Sequence, residues 1–178
     1  MFRSYTFSFE EVRPEIPVLM EYLQIPDSES YALVSEIVEK TFDELKDSKE
    51  IIGGYRVLDC PEVNMREGIV ACSAGYLHTG RKISGYMKGS GRIALFLCTA
   101  GKIFTGLSQA YQQNGDFLEA FVVESIGSAT VENAMDKVQQ YLEEDHEPLQ
   151  SGLLRMGTVR AARSVCLYRR PPDRDYYQ

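Results

Sequence analysis

The sequence predicts an α+β domain, and segments of two kinds indicate this class. Arg3–Phe9 alternates polar and apolar residues, with Tyr5, Phe7 and Phe9 on one face, as a half-buried strand does. Ile93–Thr99 is a continuous apolar run of strand length, which is typical of a strand buried on both faces. Two longer segments repeat apolar residues at helical spacing. The length of 178 residues suits one domain.

The N-terminal helices follow from proline positions and a cap. Pro14 and Pro17 suit the first turn of a short helix that ends near Leu23. Pro26-Asp27-Ser28 breaks the chain and caps a surface helix. The predicted buried stripe of that helix is Tyr31, Val34, Val38, Phe42 and Leu45.

Short strands separated by small residues follow. A Gly-Gly turn opens the predicted strand Gly53–Asp59, and two shorter strands are predicted at Gly68–Cys72 and Gly75–His78. Arg81–Lys88 predicts one or two helical turns. The tight connection Lys88–Arg92 then leads into the apolar strand.

Helices dominate the next part of the chain. Lys102–Gln113 predicts a helix that Asn114-Gly115 ends, and Asp116 caps the longest helix, which runs to about Glu144. The middle of its apolar stripe, Ser125–Ala129, is made of small residues, which let another backbone or a ligand approach closely. We expect the bulky members of the stripe to face the sheet, and these are Phe117, Phe121, Val131, Met135 and Val138.

The composition changes near the C-terminus. Residues 148–178 have a formal charge of +4, whereas residues 1–147 have −11. We interpret residues 1–147 as the α+β domain, incomplete at its C-terminal side. We interpret residues 148–178 as a divergent basic tail with weak structure.

Charge and composition exclude several classes of protein. A net charge of −7 argues against a general nucleic-acid or anionic-membrane binder. No apolar run approaches the roughly 18 residues of a membrane helix, and the N-terminus turns acidic before a signal-peptide core, so we expect a cytoplasmic protein. Two histidines and four cysteines without a C-x-x-C pair predict no metal site and reduced thiols.

Motifs for catalysis are missing from the sequence. Gly101-Lys102 follows an apolar strand as a phosphate-binding loop does, but Ile103 stands where the motif needs Ser or Thr. Gly89-Ser90-Gly91 precedes a strand, whereas a dinucleotide fingerprint follows one. The sequence therefore predicts no catalytic residue.

A polar line on the longest helix is the candidate binding site. Glu124, Ser128 and Glu132 follow one another at i, i+4 and i+8 beside the apolar stripe. One interpretation is a solvated helix edge. The other is a cleft above the small residues, where the carboxylates receive a ligand's ammonium or ribose hydroxyls through charge-assisted hydrogen bonds.

Three of these segments together resemble a known family. Ile93–Gly101 (IALFLCTAG), Gly115-Asp116-Phe117 and Glu124–Glu132 (ESIGSATVE) are similar to the activation domain of cobalamin (vitamin B12)-dependent methionine synthase, and more so to its short stand-alone relatives. The family's signals are an apolar strand that ends in T-x-G and a long helix with acidic-x-x-G-S-x-x-x-E. The resemblance covers Arg3–Glu144.

The resemblance implies a twisted, largely antiparallel sheet with packed helices. It also implies a module that binds S-adenosylmethionine (SAM) and supports the reductive methylation, or reactivation, of cob(II)alamin. The cobalamin then belongs to a corrinoid-binding methyltransferase partner, a flavodoxin-type donor supplies the electron, and the chain is at most an accessory domain or subunit. Glu132 matches the family's SAM-contacting helix carboxylate, and Glu124 and Ser128 match other positions of the motif.

The C-terminus departs from the family. An R-x-x-P-G-Y type segment that holds SAM follows the long helix there, whereas this chain has Ser151–Val159 (SGLLRMGTV). We interpret the departure as a frame-shifted reading of a family gene, with a lineage-specific tail as the alternative. The family's acidic residue near the N-terminus has no clear counterpart, Glu10 and Glu11 being the nearest choices. The alternative function is a non-catalytic interaction module that lost the SAM site, and a homo-oligomer is left open.

Overall fold

The computed structural model describes the backbone of residues 2–25, 28–60, 62–145, 152–159 and 163–170, and side chains in the first three ranges except at 28 and 29. The elements in chain order are β1 (Arg3–Phe7), α1 (Phe9–Val12), α2 (Ile16–Tyr22), α3 (Ser28–Leu45), β2 (Ile51–Asp59), β3 (Glu62–Asn64), β4 (Ile69–Cys72), β5 (Gly75–His78), α4 (Gly80–Tyr86), β6 (Arg92–Thr99), α5 (Ile103–Asn114), α6 (Phe117–Asp145), β7 (Gly152–Val159) and β8 (Arg163–Arg170).

The strands form two antiparallel sheets. The large sheet has the order β1-β2-β6-β8-β7, and the small sheet has the order β3-β4-β5. All pairings of these described strands are antiparallel. The predicted α+β class with a largely antiparallel sheet is therefore confirmed. The apolar run Ile93–Thr99 lies in the interior strand β6, as the sequence predicts. The expected burial on both faces is wrong at Leu97, which is 47% exposed.

The main core lies between α6 and one face of the large sheet. Along β6, alternate residues Ala94, Phe96 and Cys98 are buried and belong to one cluster with Val138 of α6. Gly53 of β2 sits directly beneath the helix, because a Cβ there would lie 2.7 Å from Val138 Cγ2 and 2.8 Å from Cys98 Sγ. A glycine at this position therefore permits the close approach of helix and sheet.

Helix α6 buries a different stripe in its first turns from the predicted one. Phe117 and Phe121 are 71% and 54% exposed, so the prediction that they face the sheet is wrong, whereas Val131, Met135 and Val138 are buried as predicted. The helix contacts α1, α3, α5 and the sheet, so it buries more than one stripe and helical spacing alone does not fix its phase. The buried residues that replace the two phenylalanines are Val122, Val123, Ile126 and Thr130.

Residues 152–159 and 163–170 extend the large sheet. β8 pairs with β6 on one side, in a register that sets Leu95 opposite Leu167, and with β7 on the other. The prediction of weak structure is wrong for these two ranges, and the rest of the predicted tail lies outside the described residues. β6 otherwise presents a row of unpaired backbone groups, and Ser164–Tyr168 (SVCLY) has strand-forming residue types. This interior pairing favours a selected segment over a frame-shifted one, and the boundary at residue 147 stays a prediction.

No helix in the described part of the chain has both the length and the apolar character that a membrane span requires.

The stripe that α6 buries can be tested with two substitutions. Ile126 is fully buried in the main core, so Ile126→Ala should lower the free energy of unfolding by about 2–5 kcal/mol through lost burial and a residual cavity. Phe121→Ala, on the exposed side of the same helix, is the control and should cost about 1 kcal/mol or less. Urea unfolding measures both values. Equal losses of unfolding free energy at the two positions would contradict this assignment of the buried and exposed faces of α6.

Candidate functional site

A surface cavity of about 380 Å³ lies between α6 and the segment that links α1 to α2 and continues into α2. The middle of α6 contributes Ser128, Ala129, Glu132 and Asn133 to its lining. The N-terminal side, here called the N-terminal wall, contributes Arg13, Pro14, Glu15, Val18, Leu19 and Tyr22.

Local interactions shape the backbone of the N-terminal wall. The backbone N and Oγ of Ser8 donate to Glu11 Oε2 at 2.7 and 2.6 Å, within a capping box that begins α1. Arg13 has an extended backbone with φ −62° and ψ 145°, because the residue before Pro14 is disfavoured in a helix. Pro17 in the first turn of α2 then suits the restart of the helix.

Asn133 ties this wall to α6. Its Nδ2 donates to the Arg13 carbonyl oxygen at 3.1 Å. The Arg13 side chain is also held, because its Nε lies 3.2 Å from Glu10 Oε2 and its guanidinium carbon lies 5.4 Å from the centre of the Phe42 ring. The side chain of Arg13, one of the lining residues, therefore has a defined position.

The small residues in the middle of α6 serve two neighbours. A Cβ on Gly127 would lie 3.1 Å from the ring of Phe104, so this glycine admits α5 close to α6. Ser128 and Ala129 are half-buried and line the cavity. The expected close approach of another backbone thus occurs at Gly127, and open space for a ligand lies next to it.

The structure separates Glu124 from Ser128 and Glu132. The latter two line the cavity, whereas Glu124 Oε1 accepts a hydrogen bond from Ser108 Oγ of α5 at 2.9 Å. Four residues exceed one helical turn by about 40°, so positions eight residues apart diverge by roughly 80° around the helix. Glu124 therefore lies outside the lining of this cavity, and the ligand-binding role of Glu124, Ser128 and Glu132 stays a prediction.

Ser128 offers the cavity a hydrogen-bond acceptor. Its hydroxyl donates to the Glu124 carbonyl oxygen at 3.0 Å, so the hydroxyl hydrogen is already used within the helix. The remaining lone pairs of the oxygen can accept a hydrogen bond from a ligand. This backbone bond also makes Ser128 a poor nucleophile, in line with the absence of His and Cys among the ten lining residues.

The sequence does not predict the N-terminal wall. Neither Glu10 nor Glu11, the two N-terminal candidates, lines the cavity, since the first pairs with Arg13 and the second closes the capping box. Glu15 lines the cavity instead. The only signal in the sequence is the pair of prolines that reverses the chain here, and it does not say which element the reversed segment meets.

The cavity combines both signs of charge with apolar surface. Arg13 is its cation, Glu15 and Glu132 are its carboxylates, and the apolar surface includes Val18 and Tyr22, which are 59% and 64% exposed. Within the described residues there is no group of three or more His, Cys, Asp or Glu side chains suited to hold a metal ion. The arrangement suits a small zwitterionic ligand with an apolar or aromatic part.

Comparison with known proteins identifies the fold. No protein-family model matches the chain, and no curated protein sequence matches it. Among solved structures, it is similar to the crystal structure of the MetH reactivation domain bound to AdoHcy, with a TM-score of 0.66. The match covers 99% of this chain and 80% of that chain, at 13% sequence identity. At this identity the likeness establishes the fold alone, and it confirms the fold that the resemblance implies.

The capping box that begins the N-terminal wall predicts a pH dependence. The hydrogen bonds from Ser8 lower the pKa of Glu11 below its ordinary value of 4.5. The stabilisation by this carboxylate is therefore present above that ordinary value and is lost as the pH falls through the lowered pKa of the folded state. Glu11→Gln should lower the urea midpoint at pH 7, and the difference from the unmodified protein should shrink in acid. Glu10→Gln is the matched control at the neighbouring position. The prediction is contradicted if the urea midpoints of Glu11→Gln and of the unmodified protein change in parallel with pH.

Proposed function

We propose that the chain is a SAM-binding module that supports reductive methylation of cob(II)alamin on a corrinoid-binding methyltransferase such as cobalamin-dependent methionine synthase. The observation that carries the proposal is the position of Ser128 and Glu132, two residues of the E-S-I-G-S-A-T-V-E motif, in the lining of one cavity. The likeness to the MetH reactivation domain bound to AdoHcy supports it, because AdoHcy is SAM without the transferable methyl group.

The lining of the cavity suits the chemical groups of SAM. SAM carries a sulfonium and an ammonium, which the carboxylates of Glu132 and Glu15 would balance, and a carboxylate, which Arg13 would bind. The acceptor on Ser128 suits a ribose hydroxyl or the ammonium. Tyr22 offers an exposed ring for the adenine. The volume of about 380 Å³ is within the usual range for small-molecule sites.

The role proposed for the protein is to bind and orient. SAM itself supplies the activated methyl group, so the protein needs no general acid or base and no nucleophile of its own. Glu132 and Arg13 would fix the two charged ends of the amino-acid part, and the bond from Asn133 to the Arg13 carbonyl keeps the two walls together. In this proposal the cobalamin is bound by the partner protein, and a flavodoxin-type donor supplies the electron. The proposed location is the cytoplasm.

The second candidate function is a non-catalytic interaction module. Two observations favour it. The family's R-x-x-P-G-Y segment is absent after α6, where this chain places β7. The first turns of α6 also carry exposed apolar side chains, with Phe117, Leu118 and Phe121 at 71%, 41% and 54% exposure. Such a strip is typical of an interaction surface.

Calorimetric titration with SAM distinguishes the two functions. The chain should bind SAM, and Glu132→Gln should weaken the affinity by about ten-fold or more, since a hydrogen bond to a charged group contributes roughly 1.5–3 kcal/mol. Glu124→Gln is the matched control on the same helix, and it should leave the affinity unchanged because Glu124 pairs with Ser108 outside the cavity lining. The absence of binding heat at millimolar SAM would overturn the proposal and leave the interaction module.

Arg13 allows a second test, in which the ligand changes instead of the helix. Arg13→Gln should weaken the affinity for SAM by about ten-fold, because the guanidinium would bind the ligand's carboxylate. The same variant should bind methylthioadenosine, which lacks the amino-acid part, as well as the unmodified protein does. If the affinities for SAM and for methylthioadenosine fall equally, Arg13 acts through the shape of the wall and not by binding the carboxylate of SAM.

A further inference from the structure

Two cysteines lie in neighbouring segments at the junction of the two sheets. Cys60 directly follows β2, and Cys72 is the last residue of β4. Just outside them, the backbone N of Ser73 donates to the Asp59 carbonyl oxygen at 2.9 Å. This bond holds the two segments side by side. Cys60 and Cys72, the next residues inward from it on each segment, therefore lie close to each other.

A second backbone contact lies on the other side of the two cysteines, where Glu62 of β3 pairs with Ala71 of β4. Cys60 and Cys72 therefore lie between the Ser73–Asp59 hydrogen bond and the Glu62–Ala71 pair. Cross-strand neighbours have Cα atoms about 4.5–5.5 Å apart, and a disulfide accepts roughly 4.4–6.8 Å, so segments held at this spacing can bring two thiols within reach of a disulfide.

The two side chains share an apolar environment. Cys60 is 1% exposed within the second apolar cluster, together with Leu58 and Val70, and Cys72 packs half-buried against that cluster. Burial first, and the charge of the neighbouring Cys72 second, raise the pKa of the Cys60 thiol. Cys72 Sγ also donates to the Gly75 carbonyl oxygen at 3.2 Å, on the side of the cluster that is open to solvent.

We propose that Cys60 and Cys72 form a reversible disulfide when the chain meets a low-molecular-mass disulfide such as oxidised glutathione. The Cys72 thiolate attacks one sulfur of the oxidant, whose S–S bond breaks and releases one glutathione thiolate. The Cys60 thiolate then attacks the Cys72 sulfur and expels the second glutathione. The two cysteines lose two electrons and two protons, and the oxidant is reduced to two thiols. Cys72 reacts first because it is accessible and Cys60 is buried.

The disulfide would act on the attachment of the small sheet to the large one. The second apolar cluster joins Val70 of β4 to Ile93 of β6 and to Met87 after α4. A covalent bond between residues 60 and 72 would fix this junction. The oxidised form should therefore unfold at a higher denaturant concentration than the reduced form.

Peptide mapping of the full chain tests the proposal. The protein is incubated with oxidised glutathione, its remaining thiols are alkylated in denaturant, and it is digested with trypsin without reduction. Cleavage after Arg56, Arg66 and Arg81 separates the two cysteines into peptides 57–66 and 67–81. We expect mass spectrometry to find these peptides linked in most chains, and dithiothreitol to release the link.

Variants and an internal control make the result decisive. Cys60→Ser should trap Cys72 as a stable glutathione adduct, because the second thiol is missing. Cys98, fully buried in the main core, reports on unfolding, and its peptide should carry only the alkylating group. If Cys60 and Cys72 remain alkylated, or if Cys72 stays a glutathione adduct in the unmodified protein, the proposal is overturned. Peptide 57–66 or 67–81 linked to any other cysteine would overturn it as well.

Discussion

The contact of α6 with the large sheet is the constraint on which the rest of the structure depends. Gly53 permits this contact, because a Cβ on residue 53 would lie only 2.7 Å from Val138 Cγ2. The far end of the helix is fixed by Asp145, which accepts hydrogen bonds from Arg3 and Tyr55. Burial first, and the hydrogen bond to Asp145 second, raise the pKa of Tyr55, so the phenol keeps the proton that it donates.

A helix held in this way presents different faces to different neighbours. Gly127 admits the ring of Phe104 on α5, while Ser128 and Glu132 line the cavity beside the N-terminal wall. Asn133 then joins that wall to the helix through the Arg13 carbonyl. The candidate site is therefore a consequence of helix packing, because its two walls come from distant parts of the chain that meet only on α6.

The charges of the cavity suit binding more than catalysis. Glu132, Glu15 and Arg13 can balance both signs on a zwitterion, whereas the Ser128 hydroxyl is bonded to its own helix. A ligand that carries its own activated methyl group needs only to be positioned by the protein. The Cys60–Cys72 pair lies at the other apolar cluster, so redox chemistry there would act on the junction of the sheets and leave the charges of the cavity unchanged.

The sequence by itself determined the α+β class, the interior strand β6 and the extent of α6, because apolar runs and helical spacing are local signals that burial requires. It also indicated Glu124, Ser128 and Glu132 as candidates through one short motif, and two of them line the cavity. Only the tertiary structure decided that Phe121 is exposed, that Glu124 turns to Ser108, and that β8 pairs with β6. Each of these depends on which neighbour covers a face or an edge, and that neighbour is distant in the chain. The N-terminal wall could not be predicted for the same reason, since no local pattern shows which helix a proline-bounded segment will contact.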